Sequence, residues 1–264
     1  MYQPAPAALL GPVTDDKTTT PAAPAKTWGC RTDDILLAHA VFRRLFSLLP
    51  AAVRGAEPYD RDRARTVATR IRFATGGLHH HHTTEDEMLW DRLEERAPAC
   101  AFHVGLMRAQ HERIAAELGA VEMLAQMWRV DGDPAVRDRL AERLDQAEVA
   151  LRMHLKDEEG KILPVVQTVM TQLEWDEVGR RAKSGTRPQH VFPMLGLIMN
   201  AADPAQRELL DAEIPRIARV LYDLFGHIQY DRLMADLDPA ARRRAATHRA
   251  TAPRTRGRAA PAAP

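Results

Sequence analysis

The sequence predicts an all-α protein built on an antiparallel four-helix bundle, and three observations carry that prediction. Ala, Arg, Leu and Glu, all good helix formers, dominate residues 33–172, with few β-branched clusters. Apolar residues recur there at three- and four-residue spacing in four successive segments. The breaks between segments, at Pro50, 55–58, 96–98 and 130–134, are short, as antiparallel neighbours need.

Each segment has one apolar stripe. The first reads Ile35, His39, Phe42, Phe46, Leu49, and the second Ile71, Ala74, Leu78, His81, Glu85, Met88. The third reads Val104, Met107, His111, Ile114, Leu118, Val121, and the fourth Leu140, Leu144, Ala147, Leu151, His154, Glu158, Ile162. A histidine interrupts every stripe, and two stripes carry a glutamate one turn later.

One buried histidine is ordinary, because a neutral imidazole tolerates a core if it is hydrogen-bonded. The set is not ordinary. Two carboxylates in an apolar core cost several kcal/mol each unless paired or bound to a metal, and no Lys or Arg sits beside them on these stripes. His81 with Glu85 and His154 with Glu158 are i,i+4 pairs, so each pair projects from one helix face. Four imidazoles and two carboxylates from four helices therefore predict a metal site. Six N/O ligands without sulfur exceed the four of structural zinc, and imidazole with carboxylate suits iron. If each glutamate bridges two ions and a solvent molecule touches both, roughly ten of the twelve positions of two octahedral ions are filled. Open positions are then left for a small ligand.

At these residues the chain resembles the hemerythrin-like (HHE cation-binding) proteins. The most specific parts are His-His-Thr-Thr-Glu-Asp-Glu-Met-Leu-Trp at 81–90 and His-Leu-Lys-Asp-Glu-Glu-Gly-Lys-Ile-Leu-Pro at 154–164, with Leu37-Ala38-His39 and Gln110-His111 in order between and before them. The helical region 188–235 is similar to the extension of actinobacterial members. The resemblance implies His39, His81, Glu85, His111, His154 and Glu158 as iron ligands, with the glutamates bridging two iron ions. It departs from the oxygen carriers on the third helix, where Met107 precedes His111 in place of a histidine, and His103 is two turns away. The set is therefore more like that of the four-histidine, two-glutamate members, which are associated with nitric oxide, peroxide or iron handling. On the fourth helix Glu159 has the oxygen carriers' offset from His154. Glu158 is preferred because it lies on the stripe, six residues before Pro164.

The domain organisation expected is a disordered tail at 1–30, the bundle at 31–172, a helical extension at 173–238 and a basic disordered tail at 239–264. The 264 residues hold 37 basic and 36 acidic side chains, for a net charge of +1. Seven arginines follow Asp238, the last acidic residue, so the near-neutral total conceals an acidic body and a basic arm. A net charge near zero argues against a dedicated nucleic-acid binder, leaving weak contact through the Arg-rich tail. Cys30 and Cys100 cannot build a disulfide framework. No signal-type leader is seen, and the longest apolar run, 191–202, falls short of a membrane span. A cytoplasmic location is expected.

Among the other histidines, His79–His82 span about 300° of a helix and cannot all face one centre. His82 with Asp86 reads either as a pair orienting a ligand or as a solvated face. His79, His80, His190, His227 and His248 read as surface or packing residues, and Cys100 as an ordinary free thiol. Neither a His-Glu-x-x-His motif nor a ferritin-type Glu-x-x-His pair is present. The function expected is binding or transformation of oxygen, peroxide or nitric oxide at an iron site, with enzymatic status open. The alternatives are a metal- or redox-dependent regulator acting through the extension, with a protein partner, and an iron store or donor.

Overall fold

A computed structural model describes residues 27–204, 206–207, 210, 214 and 216–238. The tails expected to be disordered lie outside the described residues, except for 27–30. Those four run beside the end of the fourth bundle segment, where Gly29 N–H donates to Met170 O and Cys30 N–H to Gln167 O.

Four long helices form the bundle. α1 (Asp33–Arg54) continues through Pro50, where the sequence suggested a break. The proline forfeits one backbone bond, but Leu49, Ala52 and Val53 beside it are fully buried and hold the last turn in place. α2 (Arg61–Met88) starts at Asp60, whose carboxylate accepts from Arg63 N–H. At Leu89 the chain turns into the short α3 (Trp90–Arg96). α4 (Ala101–Asp131) ends at Gly132, left-handed at φ 75°, and a Cβ there would come within 3.0 Å of the Tyr59 backbone. Only glycine suits both demands. α5 (Pro134–Asp157) opens with Asp133 as cap and Pro134 in the first turn.

The fourth bundle helix then widens into a π turn, Glu158–Ile162, before α6 (Leu163–Val169). In an α-helix the ring of Pro164 would press on the Gly160 carbonyl four residues back, and the wider turn relieves that clash.

Cross-helix pairs show the antiparallel order. His39 meets Glu158 and Glu159 at one end of α1 while Arg54 pairs with Asp145 at the other. Between α2 and α4, Asp86 meets His111 and Thr75 donates to Glu122. Between α4 and α5, Gln110 donates to Asp157 and Arg143 pairs with Glu117. Among the described residues no strand forms, and one isolated bridge joins Gly29 to Thr171. The architecture is an all-α bundle.

The apolar interior falls into two clusters. The larger includes Phe46, Leu49, Ile71, Leu78, Ile114, Trp128, Leu140 and Leu151. The smaller contains Ile35, Leu89, Trp90, Val104, Met107, Ile162 and Val166. On each bundle helix the histidines and glutamates lie between residues of one cluster and residues of the other. By length and composition α1 could also cross a membrane, yet more than half of that window is buried inside the protein.

The extension wraps the α1–α2 side. α7 (Gln172–Ser184), opened by a Thr171/Glu174 capping box, lies on α2. α8 (Val191–Ala201) packs on α1. α9 (Arg216–Leu221), a π turn at Tyr222–Gly226 and α10 (His227–Leu237) follow, with Leu233 and Leu237 joining the larger cluster.

Candidate metal centre

All six residues singled out in the sequence meet in one buried layer. His39 comes from α1, His81 and Glu85 from α2, His111 from α4, His154 from α5 and Glu158 from the first residue of the π turn. His39, His154 and Glu158 are completely buried, and Glu85 is 1% exposed.

The imidazoles face inward through Nε2. His81 Nε2 lies 3.2 Å from Glu85 and His111 Nε2 3.6 Å from the other Glu85 oxygen. His39 and His154 place Nε2 3.4 Å and 3.6 Å from one oxygen of Glu158.

A seventh residue joins them. His82 is buried, its ring stacked on His111 at 4.1 Å and edge-on to His154 at 4.9 Å. Ligand atoms of His82, Glu85, His111 and His154 lie within 4.8 Å of one another, and so do those of His39, His81, Glu85 and Glu158. Glu85 belongs to both groups. The sequence reading paired His82 with Asp86, but the structure pairs Asp86 with His111 and Trp90 instead. Two signals pointed to His82. It directly follows a stripe residue, so the two share a core-facing arc of about 100°, and α4 lacks the second histidine that would otherwise fill the corner.

Outside the layer, three imidazoles are held by their Nδ1 atoms. His111 Nδ1 donates to Asp86 at 2.7 Å, and Trp90 Nε1 donates to the same oxygen at 2.6 Å. His154 Nδ1 donates to Gln110 Oε1 at 3.1 Å. His39 Nδ1 donates to Glu159 at 2.8 Å, and Arg43 grips that carboxylate with two further 2.8 Å bonds. Glu158 therefore faces the layer and Glu159 orients a histidine from outside it. With both protons on Nδ1, His111 Nε2 and His154 Nε2 turn lone pairs toward each other at 3.3 Å. Without a cation between them that contact is repulsive.

The remaining polar atoms of the layer meet only one another. Nε2 of His39, His81 and His82 and both oxygens of Glu85 and Glu158 are buried and make no hydrogen bond. Each such atom costs about 1–3 kcal/mol, more for a charged group, and a cation in the layer would satisfy these atoms together. The donor set fits a pair of cations: neutral imidazoles and carboxylates, enclosed by apolar packing.

Titration behaviour agrees. Burial, then the neighbouring imidazoles, push His81 and His82 well below the usual histidine range and His154 down to about 3. Burial, then Glu158, push Glu85 well above the usual carboxylate range. Outside the layer burial also acts to raise the acids, but their hydrogen bonds win. Asp86 lies below its usual range through His111 and Trp90, and Glu159 is held at about 2 by His39 and Arg43.

The other histidines lie elsewhere. His80 Nε2 donates to the carbonyls of Arg181 and Ala182 at the end of α7, and His190 packs edge-on against Phe73. His248 lies outside the described residues. Burial raises the pKa of both thiols, Cys30 to about 11, which argues against a nucleophilic role for either.

A family model described as "Hemerythrin HHE cation binding domain" matches residues 31–166, just over half of the chain. No curated protein and no solved structure matches it.

Proposed function

The chain belongs to the hemerythrin HHE cation-binding family, and from that premise we propose that it is a non-haem di-iron protein that binds or transforms oxygen, peroxide or nitric oxide. The buried, partnerless nitrogens and oxygens of the layer carry the reading. His82, His111 and His154 would hold one ion and His39 and His81 the other, with Glu85 and Glu158 shared. Five imidazole nitrogens, four carboxylate oxygens and a solvent bridge supply about eleven of the roughly twelve positions of two octahedral ions. The half with two imidazoles is the one short of a donor. Iron cycling between ferrous and ferric would supply the electrons for reduction of a small oxidant.

The protein's own groups set the conditions. Asp86, Gln110 and Glu159 fix the ring orientation of three imidazoles and direct Nε2 inward. The two apolar clusters exclude bulk water. His81, beside Phe42 and with 11% of its side chain accessible, is the least enclosed imidazole and marks the side from which a small ligand enters. A cytoplasmic role in oxidative or nitrosative stress follows from this reading. The test is the visible spectrum of the iron-loaded protein before and after oxygen, peroxide and nitric oxide are added separately. A response to at least one is expected, and a spectrum indifferent to all three contradicts the reading.

One observation favours regulation as a second reading. α7 is anchored to the metal-binding stretch of α2 by His80 and by the Arg181–Glu87 ion pair at 2.9 Å. Gly185 lies so close to His80 that a Cβ would sit 2.3 Å from its Nε2. A change at His81 or Glu85 therefore has a direct route to the extension. Protease sensitivity of residues 172–201 that is the same with and without metal counts against regulation.

A further inference from the structure

The three groups that hold imidazoles from outside the layer differ in charge. Gln110, on His154, is neutral. Asp86, on His111, is a carboxylate whose other hydrogen-bond partner, Trp90, is neutral too. Among the described residues no Arg or Lys bonds to Asp86; Arg108, whose charge reaches it through space, is bonded to Asp91 and Glu94. Glu159, on His39, is a carboxylate gripped at both oxygens by Arg43 through two 2.8 Å bonds.

Local structure builds that grip. Arg43 follows His39 by one turn of α1, so imidazole and guanidinium lie on one side of the helix. At the start of the π turn Glu158 faces the layer, and Glu159 beside it meets both side chains from outside. The planar fork of arginine matches two carboxylate oxygens, as a lysine ammonium does not. Arg43 is 30% and Glu159 27% exposed, so solvent screens the pair only in part.

We infer that Arg43 is a positioning residue that keeps the open half of the metal layer easy to reduce. This rests on the di-iron reading, in which His39 and His81 hold the ion that is one donor short and lies on the side where a small ligand enters. A carboxylate bonded to Nδ1–H makes Nε2 a more basic donor, and a more basic donor favours ferric over ferrous iron. Arg43 offsets that effect at His39, and Asp86 keeps it at His111. Oxygen, peroxide and nitric oxide all react with ferrous iron, so the neutralised carboxylate stands on the half where ferrous iron is needed. Were Arg43 only a fastener between α1 and the π turn, its loss would weaken ferrous and ferric binding alike and leave their ratio unchanged.

Potentiometric titration of the full, iron-loaded chain tests this with Arg43→Gln, Arg43→Lys and Glu159→Gln, iron content being measured for each. Arg43→Gln keeps a hydrogen-bond donor and loses the charge. It should favour ferric iron on the order of tenfold, which lowers a one-electron midpoint by about 59 mV. Arg43→Lys keeps the charge and should restore most of the unmodified value. Glu159→Gln keeps an acceptor for His39 Nδ1–H and should move the midpoint upward. A midpoint unmoved by Arg43→Gln, or moved as far by Arg43→Lys, would overturn the inference and leave the di-iron reading standing. If Arg43→Gln fails to hold iron, Glu159→Gln decides, and a midpoint that does not rise overturns the inference. An unmodified chain whose iron does not titrate overturns both.

Discussion

Replacing Asp86 separates the packing of the metal layer from its chemistry. One oxygen of Asp86 accepts both the Trp90 Nε1–H and the His111 Nδ1–H bonds. Trp90 is fully buried and His111 is 4% exposed, while the Asp86 side chain is 41% exposed. Asp86→Ala leaves two buried donors without their acceptor, at about 1–3 kcal/mol each. Water can reach the vacated, half-open position, so the lower half of that range applies to each donor, about 2–4 kcal/mol in total. In a bundle of this size the melting temperature of the metal-free protein should fall by about 5–10 °C. Metal affinity should fall roughly 10- to 100-fold, because His111 loses the group that fixes its ring. Asp86→Asn keeps an acceptor oxygen and loses only the charge, so it should restore most of the stability and part of the affinity. Calorimetric melting of the metal-free variants and chelator competition on the loaded ones measure the two effects. If Asp86→Ala binds metal within threefold of the unmodified protein, His111 is not oriented through Asp86, and that argument is refuted.

Three further predictions follow from other residues. His82→Ala should lower bound iron from about two ions per chain to about one with helicity unchanged; two tightly held ions in that variant would show that His82 is not a ligand. Gly132→Ala should cost about 2 kcal/mol or more, through a left-handed alanine pressed against the Tyr59 backbone, and a midpoint unchanged in urea would contradict that geometry. The metal-free protein should lose stability as pH falls below about 6.5. Its depressed His81, His82 and His154 favour folding above that pH, and the contribution of His154 is lost as pH falls through about 3. Glu85, with its raised pKa, acts in the opposite sense, stabilising below its unfolded pKa and losing that contribution as pH rises, but three imidazoles outweigh one carboxyl. A melting temperature constant from pH 7 to pH 4 would show that the layer is not buried as described.

The four stripes were legible because helical periodicity is the strongest signal a sequence carries, and the interrupting histidines and glutamates stood out against it. His82 was passed over as part of the layer because it lies one residue off the stripe, although the arc it shares with His81 faces the core. A helix at the corner of a bundle faces two neighbours, and His82 faces α4 and α5 while His81 faces α1. Asp86 was read with His82, either as an orienting pair or as a solvated face, because i,i+4 spacing cannot see a partner such as His111 on another helix. The π turn was hidden as well: the fourth stripe runs through Glu158 and Ile162 without a break, and the clash that Pro164 makes with the preceding turn leaves no mark on that pattern. Pro50 was read as a break, but burial of its neighbours carries α1 through it.

The most direct test of the central claim is iron content per chain after anaerobic loading with ferrous iron and desalting. The account predicts about two ions per chain, falling to one or fewer in Glu85→Ala, since Glu85 belongs to both ligand groups. Less than one ion per chain, unchanged by Glu85→Ala, would contradict it.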